Sequence, residues 1–380
     1  MPRSATLPSW RYSFGLLLLC SGLLLQQPAH AAETATATSG QVQLKTVVEG
    51  LNEPWGMAFL PDGRLLITEK SGKLRMVENG KLLPQAIGGV PAVVDRGQGG
   101  LLDIALHPRY AENGWLYLSY SAKGEGGSGT EVMRAKLKGM QLSDSEVIFR
   151  QAPKISSNKH FGSRLVFDRD GFLYITLGDR GEMERAQDLG QHIGKVIRLH
   201  DDGRVPQDNP FTNKAGALPE IYSYGHRNVQ GATLNPSSGK VWTHEHGPQG
   251  GDEINIVQAG TNFGWPVITY GVNYFTATKI GEGTSKPGMA QPLYKWVPSI
   301  APSGMTFYTG DAYPGWKNHL FVGSLKFQTL VKLTMDGDKV VKEERLFDNL
   351  GRLRDVRQGP DGLLYLLAGG KLLQLAPVAR

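Results

Sequence analysis

Beyond residue 40 the chain consists of short apolar runs, each bounded by Gly, Pro, Asn or Asp. The 3.6-residue spacing of apolar positions that marks an amphipathic helix is nearly absent. What recurs is a turn motif followed by a run rich in aromatic and β-branched residues, which is typical of β-hairpins. Asp-Gly and Asn-Gly favour these turns because both residues tolerate the positive φ angles that tight hairpins need. The pattern therefore predicts an all-β fold.

The turn motif and the strand after it occur six times along the chain. The copies are Pro61-Asp62-Gly63 before RLLITEK, Asn113-Gly114 before WLYLSYS, Asp170-Gly171 before FLYITLGD, Ser238-Gly239 before KVWTHEH, Trp316-Lys317-Asn318 before HLFVGSL, and Pro360-Asp361-Gly362 before LLYLLAGG. Six matching units predict six hairpins, each part of a larger repeated unit.

The size of the repeat indicates the architecture. Without residues 1–31, treated below as a targeting segment, 349 residues remain (380 − 31), or about 58 per unit. This is close to a four-stranded antiparallel blade, so we expect a six-bladed β-propeller. Residues 41–50 precede the first unit, and a strand from this segment is predicted to close the last blade and remove its free edges. The alternative is two β-sandwiches with coincidental turns, which gives no reason for six matching units.

The N-terminus has the three regions of a secretory signal peptide. Residues 1–31 contain Arg3 and Arg11, then an apolar run over 14–25, and end on Ala29-His30-Ala31. The apolar run is short for a membrane span. The lone cysteine, Cys20, lies within it and lacks the small preceding residue of a lipoprotein signal, so lipidation is the less favoured alternative. We expect residues 1–31 to be cleaved, residues 32–40 to be a polar leader, and residues 41–380 to form one propeller domain in the periplasm.

Composition and charge narrow the function classes. Charged residues make up 20% of the chain and apolar residues 40%, which excludes a disordered tail protein and a coiled coil. There are 41 Lys and Arg against 35 Asp and Glu, and removing Arg3 and Arg11 leaves 39 − 35 = +4. This small, dispersed excess lacks the basic surface of a nucleic-acid binder. We therefore expect no nucleic-acid partner and, after cleavage, no integral membrane segment.

One histidine has a carboxylate at a position that makes it a candidate general base. His160 lies before the third hairpin, and Asp179 follows the second strand of that hairpin, which returns the chain to the same rim. A carboxylate that fixes the tautomer of an imidazole makes it a competent base near neutral pH. A structural histidine and a turn aspartate are the plainer alternatives. Gln98, in Gly97-Gln98-Gly99-Gly100, offers a donor and an acceptor within a backbone that can approach a ligand closely, although a simple glycine turn is an equal alternative.

The segments of the fourth unit carry both cationic and metal-binding candidates. Arg227 and Asn228 place a guanidinium beside an amide, a combination suited to carboxylate or quinone oxygens, although surface ion pairing is commoner. His244 and His246 share a strand face but make an incomplete zinc or iron site. The segment from Gly247 to Glu253 is better suited to calcium, since turn carbonyls and carboxylates are calcium ligands.

Three further cations occur in the last two units. They are Lys326, Arg352 and Arg354, and the two arginines alternate onto one strand face. A solvated strand face is the plain alternative. Together they suit a small polyanionic ligand at the mouth of the central channel.

Six segments in combination resemble the soluble aldose (glucose/sorbosone) dehydrogenases that use pyrroloquinoline quinone (PQQ). They are LNEPWGMAFLPDGRLLITE, GQGGLLDIALHP, HFGSRLVFDRDGFLYITLGD, IYSYGHRNVQG, EHGPQGGDEINIVQAGTNFGWP and LRDVRQGPDGLLYLL, extending from about residue 51 to 367. The resemblance implies a six-bladed propeller and an oxidoreductase that converts the anomeric C1 hydroxyl of an aldose to a lactone. The electron acceptor that reoxidises the cofactor is not identified by it.

The resemblance also implies roles for individual residues. His160 matches the catalytic base and Asp179 the carboxylate that orients it, while Arg227 would stabilise charge that develops on the cofactor. The residues that match PQQ contacts are Gln98, His160, Arg227, Asn228, Lys326, Arg352 and Arg354. Those that match calcium ligands are the carbonyls of Gly247 and Pro248 for the ion beside PQQ, and Glu253 with the carbonyl of Phe263 for a structural ion.

The sequence departs from the glucose-specific members near the base. Lys159 stands where some members have an acid, and Glu182-Met183-Glu184 replaces an amide-rich stretch, so the sugar preference is open. Two other functions remain as alternatives: a calcium-dependent lactonase or sugar hydrolase on a six-bladed propeller, and a non-catalytic propeller that binds a periplasmic partner. The first needs several acidic and amide side chains around one ion, whereas the candidates here are mainly cations.

Overall fold

Each of the six turn motifs joins the first and second strands of a four-stranded antiparallel sheet in the computed structural model, which describes residues 42–378. The last residue of each motif has a positive φ angle, from 65° at Asn318 to 87° at Gly63. A Cβ atom added at Gly63 or Gly171 would meet no other atom within 4 Å, so these glycines serve the backbone conformation rather than close packing. The signal peptide and leader predicted for residues 1–40 lie outside the described residues.

The strands follow one another along the chain with almost no helix between them. In chain order they are β1 (Val42–Val48), β2 (Pro54–Phe59), β3 (Leu65–Glu69), β4 (Lys73–Glu78), β5 (Lys81–Leu82), β6 (Leu101–Leu106), β7 (Trp115–Gly124), β8 (Gly127–Lys138), β9 (Gln141–Arg150), β10 (Leu165–Phe167), β11 (Leu173–Thr176), β12 (Lys195–Leu199), β13 (Ile221–Tyr224), β14 (Val229–Leu234), β15 (Val241–Glu245), β16 (Asp252–Ile256), β17 (Tyr294–Trp296), β18 (Pro302–Phe307), β19 (Leu320–Ser324), β20 (Leu330–Asp336), β21 (Lys339–Leu346), β22 (Leu353–Gln358), β23 (Leu364–Ala368) and β24 (Lys371–Pro377). A one-turn α-helix, α1, covers Tyr110–Asn113, and a 3₁₀ helix covers Met183–Gln187.

The sheets are the six blades of a β-propeller, as predicted. Blades 1 to 5 are β2–β5, β6–β9, β10–β13, β14–β17 and β18–β21, each in chain order from the inner to the outer strand. The first strands of the blades, β2, β6, β10, β14, β18 and β22, contact one another around the central channel.

Blade 6 is closed by the N-terminal strand, which confirms that prediction too. Its order is β22, β23, β24 and then β1 on the outside. The antiparallel register pairs Val42 with Pro377 and Leu44 with Leu375. Val42 is fully buried and Leu44 nearly so, within a cluster that includes Leu364 and Leu366 of β23. We call this pairing of β1 with β24 the seam.

Apolar side chains pack mainly between neighbouring blades. Leu66 and Leu74 of blade 1 share one buried cluster with Leu116 and Leu118 of blade 2. Burying a leucine side chain contributes about 1.5–3 kcal/mol, so each interface between blades supplies a substantial part of the stability. The blades are thereby held as rigid supports for the loops at their ends.

The connectivity brings the candidate residues to one end of the channel. In every blade the inner strand begins, and the second strand ends, at the end opposite the six turn motifs. We call this end the channel mouth. Most candidates lie there, either just before an inner strand or just after a second strand. The exceptions are Arg354 within β22, Glu253 within β16 and Phe263 in the loop that follows β16.

Candidate active site

His160 and Asp179 meet at the channel mouth. The Nδ1 atom of His160 lies 2.6 Å from Oδ1 of Asp179, and 12% of the histidine side chain is exposed while the aspartate is buried. His160 precedes β10 and Asp179 follows β11, so the hairpin that joins these strands brings the two together. With Nδ1–H donated to the carboxylate, Nε2 carries the free lone pair of the neutral ring. That atom makes no hydrogen bond within residues 42–378.

The carboxylate of Asp179 accepts three hydrogen bonds in all. Oδ1 also accepts from the backbone N–H of Gly181 at 2.7 Å, and Oδ2 accepts from Nε1–H of Trp265 at 2.8 Å. Burial acts to raise the pKa of Asp179, but the hydrogen bond and charge of His160, with the charge of Arg227 and the Gly181 N–H, outweigh it and lower the pKa. Asp179 is therefore ionised at neutral pH and keeps the imidazole in one orientation.

The surroundings of His160 keep its imidazole neutral. Burial, together with the nearby charges of Arg227 and Lys159, lowers the pKa of His160 below its usual 6.5, although Asp179 opposes the shift. The backbone of His160 has an unfavourable φ of 54°. It is fixed there by a hydrogen bond of 2.7 Å from its N–H to Oε1 of Gln98. A neutral imidazole with an exposed Nε2 can accept a proton.

Gln98 is held by the glycine turn in which it lies. Gly97 has a φ of 61°, and a Cβ atom there would collide with the carbonyl oxygen of Asn158. This close approach lets the N–H of Gln98 donate to the same Asn158 carbonyl at 2.7 Å. The Gln98 side chain thus positions the backbone of His160. Position 97 requires a glycine, because a side chain there would prevent the close approach to Asn158.

Arg227 lies next to this pair, since its carbonyl accepts a hydrogen bond of 2.7 Å from the N–H of Asp179, and its side chain donates to two backbone carbonyls. Its Nη1 lies 3.0 Å from the oxygen of His246 and 2.7 Å from that of Gly247. Its own N–H donates to Oε2 of Glu245 at 2.6 Å, and the guanidinium lies 5.4 Å from the ring centre of Trp265. The charge of Arg227 is thus held beside the mouth.

Asn228 braces the loop that carries His160. Its Oδ1 accepts a hydrogen bond of 3.3 Å from the N–H of Gly162 and one of 3.4 Å from Nε2 of Gln230. Within the described residues, no acceptor binds its amide N–H₂ group, which leaves these donors for a ligand.

The two candidate calcium carbonyls lie in a turn tied down by Asp252. Oδ1 of Asp252 accepts from the N–H of Gly247 at 2.9 Å, and Oδ2 accepts from Ile300 and Ala301 N–H groups at 2.8 and 3.0 Å. The buried carboxylate is therefore used to hold the turn rather than to bind an ion. The Pro248 carbonyl accepts from Oη of Tyr274 at 3.0 Å.

Both carbonyls keep a second lone pair that can bind a hard cation, but two oxygens fall short of the six to eight that calcium takes. Arg227 also places a positive charge next to the Gly247 oxygen. An ion at this position fits only if an anionic ligand supplies further oxygens and offsets that charge. These donors therefore suit calcium bound together with a carboxylate ligand.

The second candidate calcium site contains two facing carboxylates beside a small cavity. Glu253 pairs in register with Glu245 on the neighbouring strand, and a cavity of about 10 Å³, the size of a single small occupant, adjoins both and Phe263. Burial and then the charge of Glu245 raise the pKa of Glu253 to about 8. Two carboxylates that repel each other beside a small void fit a cation.

His244 of β15 and His246, which follows that strand, do not form a transition-metal site. Nε2 of His246 is bonded to the carbonyl of Pro302, and burial lowers the pKa of His246 to about 3. His244 is fully buried with neither ring nitrogen hydrogen-bonded within the described chain. Residues 42–378 contain no group of three or more His, Cys, Asp or Glu side chains placed to hold a metal.

Lys326, Arg352 and Arg354 come together at the mouth on the side of blades 5 and 6. Lys326 and Arg352 line a cavity of about 830 Å³ that also reaches Pro248, and Arg352 and Arg354 line an adjoining one of about 260 Å³. None of the three has a carboxylate at ion-pair distance in the described part of the chain. Burial, then the charges of Arg164 and Arg352, lower the pKa of Arg354 to about 9. Unpaired cations around a cavity of this size fit a small ligand with several carboxylates, such as PQQ.

Below the mouth the channel is filled by buried ion pairs. Nη1 of Arg164 lies 3.1 Å from Oδ1 of both Asp103 and Asp355, and Arg357 lies 3.1 and 3.0 Å from the same two carboxylates. The Arg164 guanidinium also stacks 4.1 Å from the ring centre of Trp55. A ligand at the mouth therefore rests on a rigid polar floor.

Sequence reasoning assigned no role to Trp265, Tyr274 or Glu245. Trp265 holds the carboxylate of Asp179, Tyr274 the Pro248 carbonyl, and Glu245 the backbone of Arg227. Trp265 and Glu245 lie within a segment that resembles the known family, so their location could have marked them as candidate site residues. Tyr274 lies in a loop without a recognisable motif, and nothing in the sequence pointed to it.

Sequence comparisons relate the chain to known sugar dehydrogenases. The sequence profile of the family described as Glucose / Sorbosone dehydrogenase matches residues 51–375. The chain is 45% identical over 351 residues to the aldose sugar dehydrogenase YliI of Escherichia coli, covering 90% of this chain and 94% of that one.

Two solved structures are similar over nearly their whole length. The apo-form of the soluble aldose sugar dehydrogenase from Escherichia coli is 45% identical, with a TM-score of 0.86 over 89% of this chain and 100% of that one. The PQQ-bound aldose sugar dehydrogenase from Streptomyces coelicolor is 30% identical, with a TM-score of 0.72 over 88% and 98%. In addition, no helix within residues 42–378 is long and apolar enough to span a membrane.

Proposed function

Because the chain belongs to the glucose/sorbosone dehydrogenase family, we propose that it oxidises the anomeric C1 hydroxyl of an aldose to the lactone by hydride transfer to PQQ. The observation that carries the proposal is the His160 and Asp179 pair, whose free Nε2 stands at a mouth lined by unpaired cations. When bound, PQQ supplies an electrophilic ortho-quinone that accepts the hydride, with calcium as a Lewis acid beside it.

His160 is the general base in this proposal. Nε2 takes the proton from the C1 hydroxyl while the hydride leaves C1, so the sugar loses two electrons and two hydrogens and becomes a lactone. Asp179 stabilises the imidazolium that forms, because its ionised carboxylate already accepts a hydrogen bond from Nδ1–H. The low pKa of His160 keeps the base unprotonated at neutral pH.

The remaining residues would bind the cofactor and polarise its oxygens. Lys326, Arg352 and Arg354 would hold the carboxylates of the cofactor, and Arg227 with the Asn228 amide would stabilise negative charge that grows on its oxygens. Gln98 would hold the loop that carries His160 against the cofactor. The Gly247 and Pro248 carbonyls would share the calcium with the cofactor, and Glu253 with the Phe263 carbonyl would hold a structural calcium.

A lactonase or sugar hydrolase is less well supported. Such an enzyme needs several acidic and amide side chains around one ion in the channel, and the carboxylates of the described channel residues, Asp103 and Asp355, are instead paired with Arg164 and Arg357. The proposal also places the enzyme in the periplasm, with residues 1–31 as a cleaved signal peptide, and requires an electron acceptor that is not yet identified.

The test is a reconstitution of purified apo-protein with PQQ and calcium, followed by a panel of aldoses and an artificial electron acceptor. We expect dye reduction with at least one aldose. His160→Ala should keep PQQ binding and lose on the order of 10²-fold or more in turnover, the usual share of a general base. His200→Ala, at the other end of blade 3 where it packs against Phe172, is the matched control and should keep normal turnover. Near-normal turnover of His160→Ala would remove that residue from the role.

A further inference from the structure

A further cavity of about 540 Å³ opens beside His160 and Asp179, between blades 2 and 3. We call it the lateral crevice. Its walls include residues 156–159, which run directly into His160, and residues 180–182, which follow Asp179 directly. None of the residues that match the cofactor contacts lines it. Lys159 and Arg180 in this lining are the bonded neighbours of His160 and Asp179, so the crevice is a candidate space for the end of a sugar remote from C1.

The lining of the lateral crevice is positively charged. Arg96, Lys123 and Lys159 are exposed there, and none of them has an ion-pair partner within residues 42–378. Glu182 is the one carboxylate among the lining residues, and it lies 3.9 Å from the guanidinium of Arg185. The crevice thus has an excess of cations that the protein itself does not neutralise.

Two acids close to the crevice are already neutralised elsewhere. Asp95, next to Arg96, is paired with Lys70, and Glu131 of β8 is paired with Lys154. Neither carboxylate is therefore free to offset the exposed cations of the crevice. An unbalanced positive surface within a concave site attracts anions more strongly than the same charges on a convex one.

Arg180 adds a buried cation to the same wall. Only 1% of it is exposed, its Nε donates to the Lys159 carbonyl at 3.1 Å, and its guanidinium stacks 3.4 Å from the ring centre of Phe161. Nη1 has no hydrogen-bond partner within the described residues, and no carboxylate forms an ion pair with the group. Burial lowers the pKa of Arg180 to about 10, so it stays charged at neutral pH. A charge that is screened little by water contributes further to the positive potential of the crevice.

We propose that the lateral crevice binds an anionic group on the substrate, so that the preferred substrates are aldoses with a negative charge remote from C1. This inference rests on the proposed dehydrogenase function. The group can be a carboxylate, as in a uronic acid, or a phosphate, as in a sugar phosphate. Arg96 and Lys123 are specificity-determining residues in this arrangement, since they contact the distal group and not the reacting carbon.

The experiment compares glucose, glucuronic acid and glucose 6-phosphate on the protein loaded with PQQ and calcium, with an artificial acceptor at fixed ionic strength. We expect kcat/KM to be about tenfold or more higher for at least one anionic sugar than for glucose, and the two anionic sugars distinguish carboxylate from phosphate recognition. Arg96→Gln and Lys123→Gln should each lower kcat/KM for that sugar about threefold to fivefold, through KM, and leave glucose unchanged. Lys81→Gln, an exposed lysine on the outer strand of blade 1, is the matched control and should change neither.

The outcomes separate this inference from the proposed function. Equal or lower kcat/KM for both anionic sugars, with glucose turned over, overturns the crevice inference and leaves the dehydrogenase standing. Absence of turnover with every aldose counts against the dehydrogenase, and the crevice is then tested by calorimetric titration with glucose 6-phosphate and glucose. Tighter binding of the phosphate that is lost in the Arg96→Gln, Lys123→Gln double variant supports the crevice, while equal binding overturns it.

Discussion

Replacing Asp179 by Asn tests the proposed catalytic pair of His160 and Asp179 most directly, because it removes a charge and little volume. The carboxylate accepts from His160 Nδ1, Gly181 N–H and Trp265 Nε1 at 2.6, 2.7 and 2.8 Å. An amide has one oxygen for these three donors, and its N–H₂ group must then face at least one of them. Either the imidazole loses its acceptor, or the Trp265 indole does.

The size of the effect follows from this mismatch. A buried donor left without an acceptor costs about 1–3 kcal/mol, so Asp179→Asn should lower the free energy of unfolding by about that amount. Turnover should fall much further, by about 10²-fold or more, because Nε2 is no longer reliably the proton acceptor and the imidazolium is no longer stabilised. PQQ affinity should change little, since Asp179 lies behind the histidine and not among the cofactor contacts.

The pH profile separates a positioning role from general damage. The base must be unprotonated, so activity rises as the pH increases through the pKa of His160, which lies below 6.5. Asp179 acts to raise that pKa, so its loss should lower the pKa further and move the acid limb of kcat/KM to lower pH. A variant that is merely less stable loses activity without moving that limb.

The matched control is Asp168→Asn at the other end of the same hairpin. Asp168 accepts only backbone N–H groups, from Asp170 at 3.0 Å and Phe172 at 2.9 Å, both on Oδ1, and an amide oxygen can replace it. Steady-state kinetics with an artificial acceptor, denaturation curves and the pH profile should all match the parent protein. Turnover of Asp179→Asn within threefold of the parent, or an acid limb shifted to higher pH, would refute the reasoning.

Three further substitutions test the buried ion pairs below the channel mouth, the cations proposed to bind the cofactor, and the conformation of the hairpin turns. Arg164→Met leaves Asp103 and Asp355 with one arginine fewer and should lower the free energy of unfolding by about 3–5 kcal/mol in urea denaturation; a loss below 1 kcal/mol would contradict the role of the buried pairs. Lys326→Gln should weaken binding of PQQ about threefold to tenfold in an absorbance titration, more at low salt than at high salt, while an unchanged affinity would remove it from the cofactor site. Gly171→Ala forces a side chain onto a φ of 84° and should destabilise the protein by about 1 kcal/mol, with Gly171→Asn closer to the parent; equal melting temperatures for all three proteins would argue against the turn conformation.

The fold could be predicted because it repeats a local signal. A turn such as Asp170-Gly171 determines the backbone of its hairpin from neighbouring residues alone, and six copies at similar spacing define six blades. The closing strand followed from a general argument about free edges, without knowledge of its register. The pairing of Val42 with Pro377 depends on packing between segments far apart in sequence, so the pattern gave the strand but not its partner residues.

The site could be predicted only in part, for a related reason. His160 and Asp179 flank one hairpin, so chain geometry alone predicts their meeting. Trp265 reaches Asp179 from 86 residues away (265 − 179), and this contact depends on how blades 3 and 4 pack. The lateral crevice likewise combines side chains from four separate segments, and no single segment carries its charge pattern.

The seam has a consequence for how the molecule is made. Its strands join residues 335 positions apart (377 − 42), a contact that a growing chain cannot form until β24 has been synthesised. Bringing together residues so distant in sequence is slow, because a long stretch of chain must be ordered first. The blades can assemble one after another, but the ring stays open until β24 pairs with β1. A polypeptide with this topology therefore cannot reach its closed form before both β1 and β24 are available for pairing.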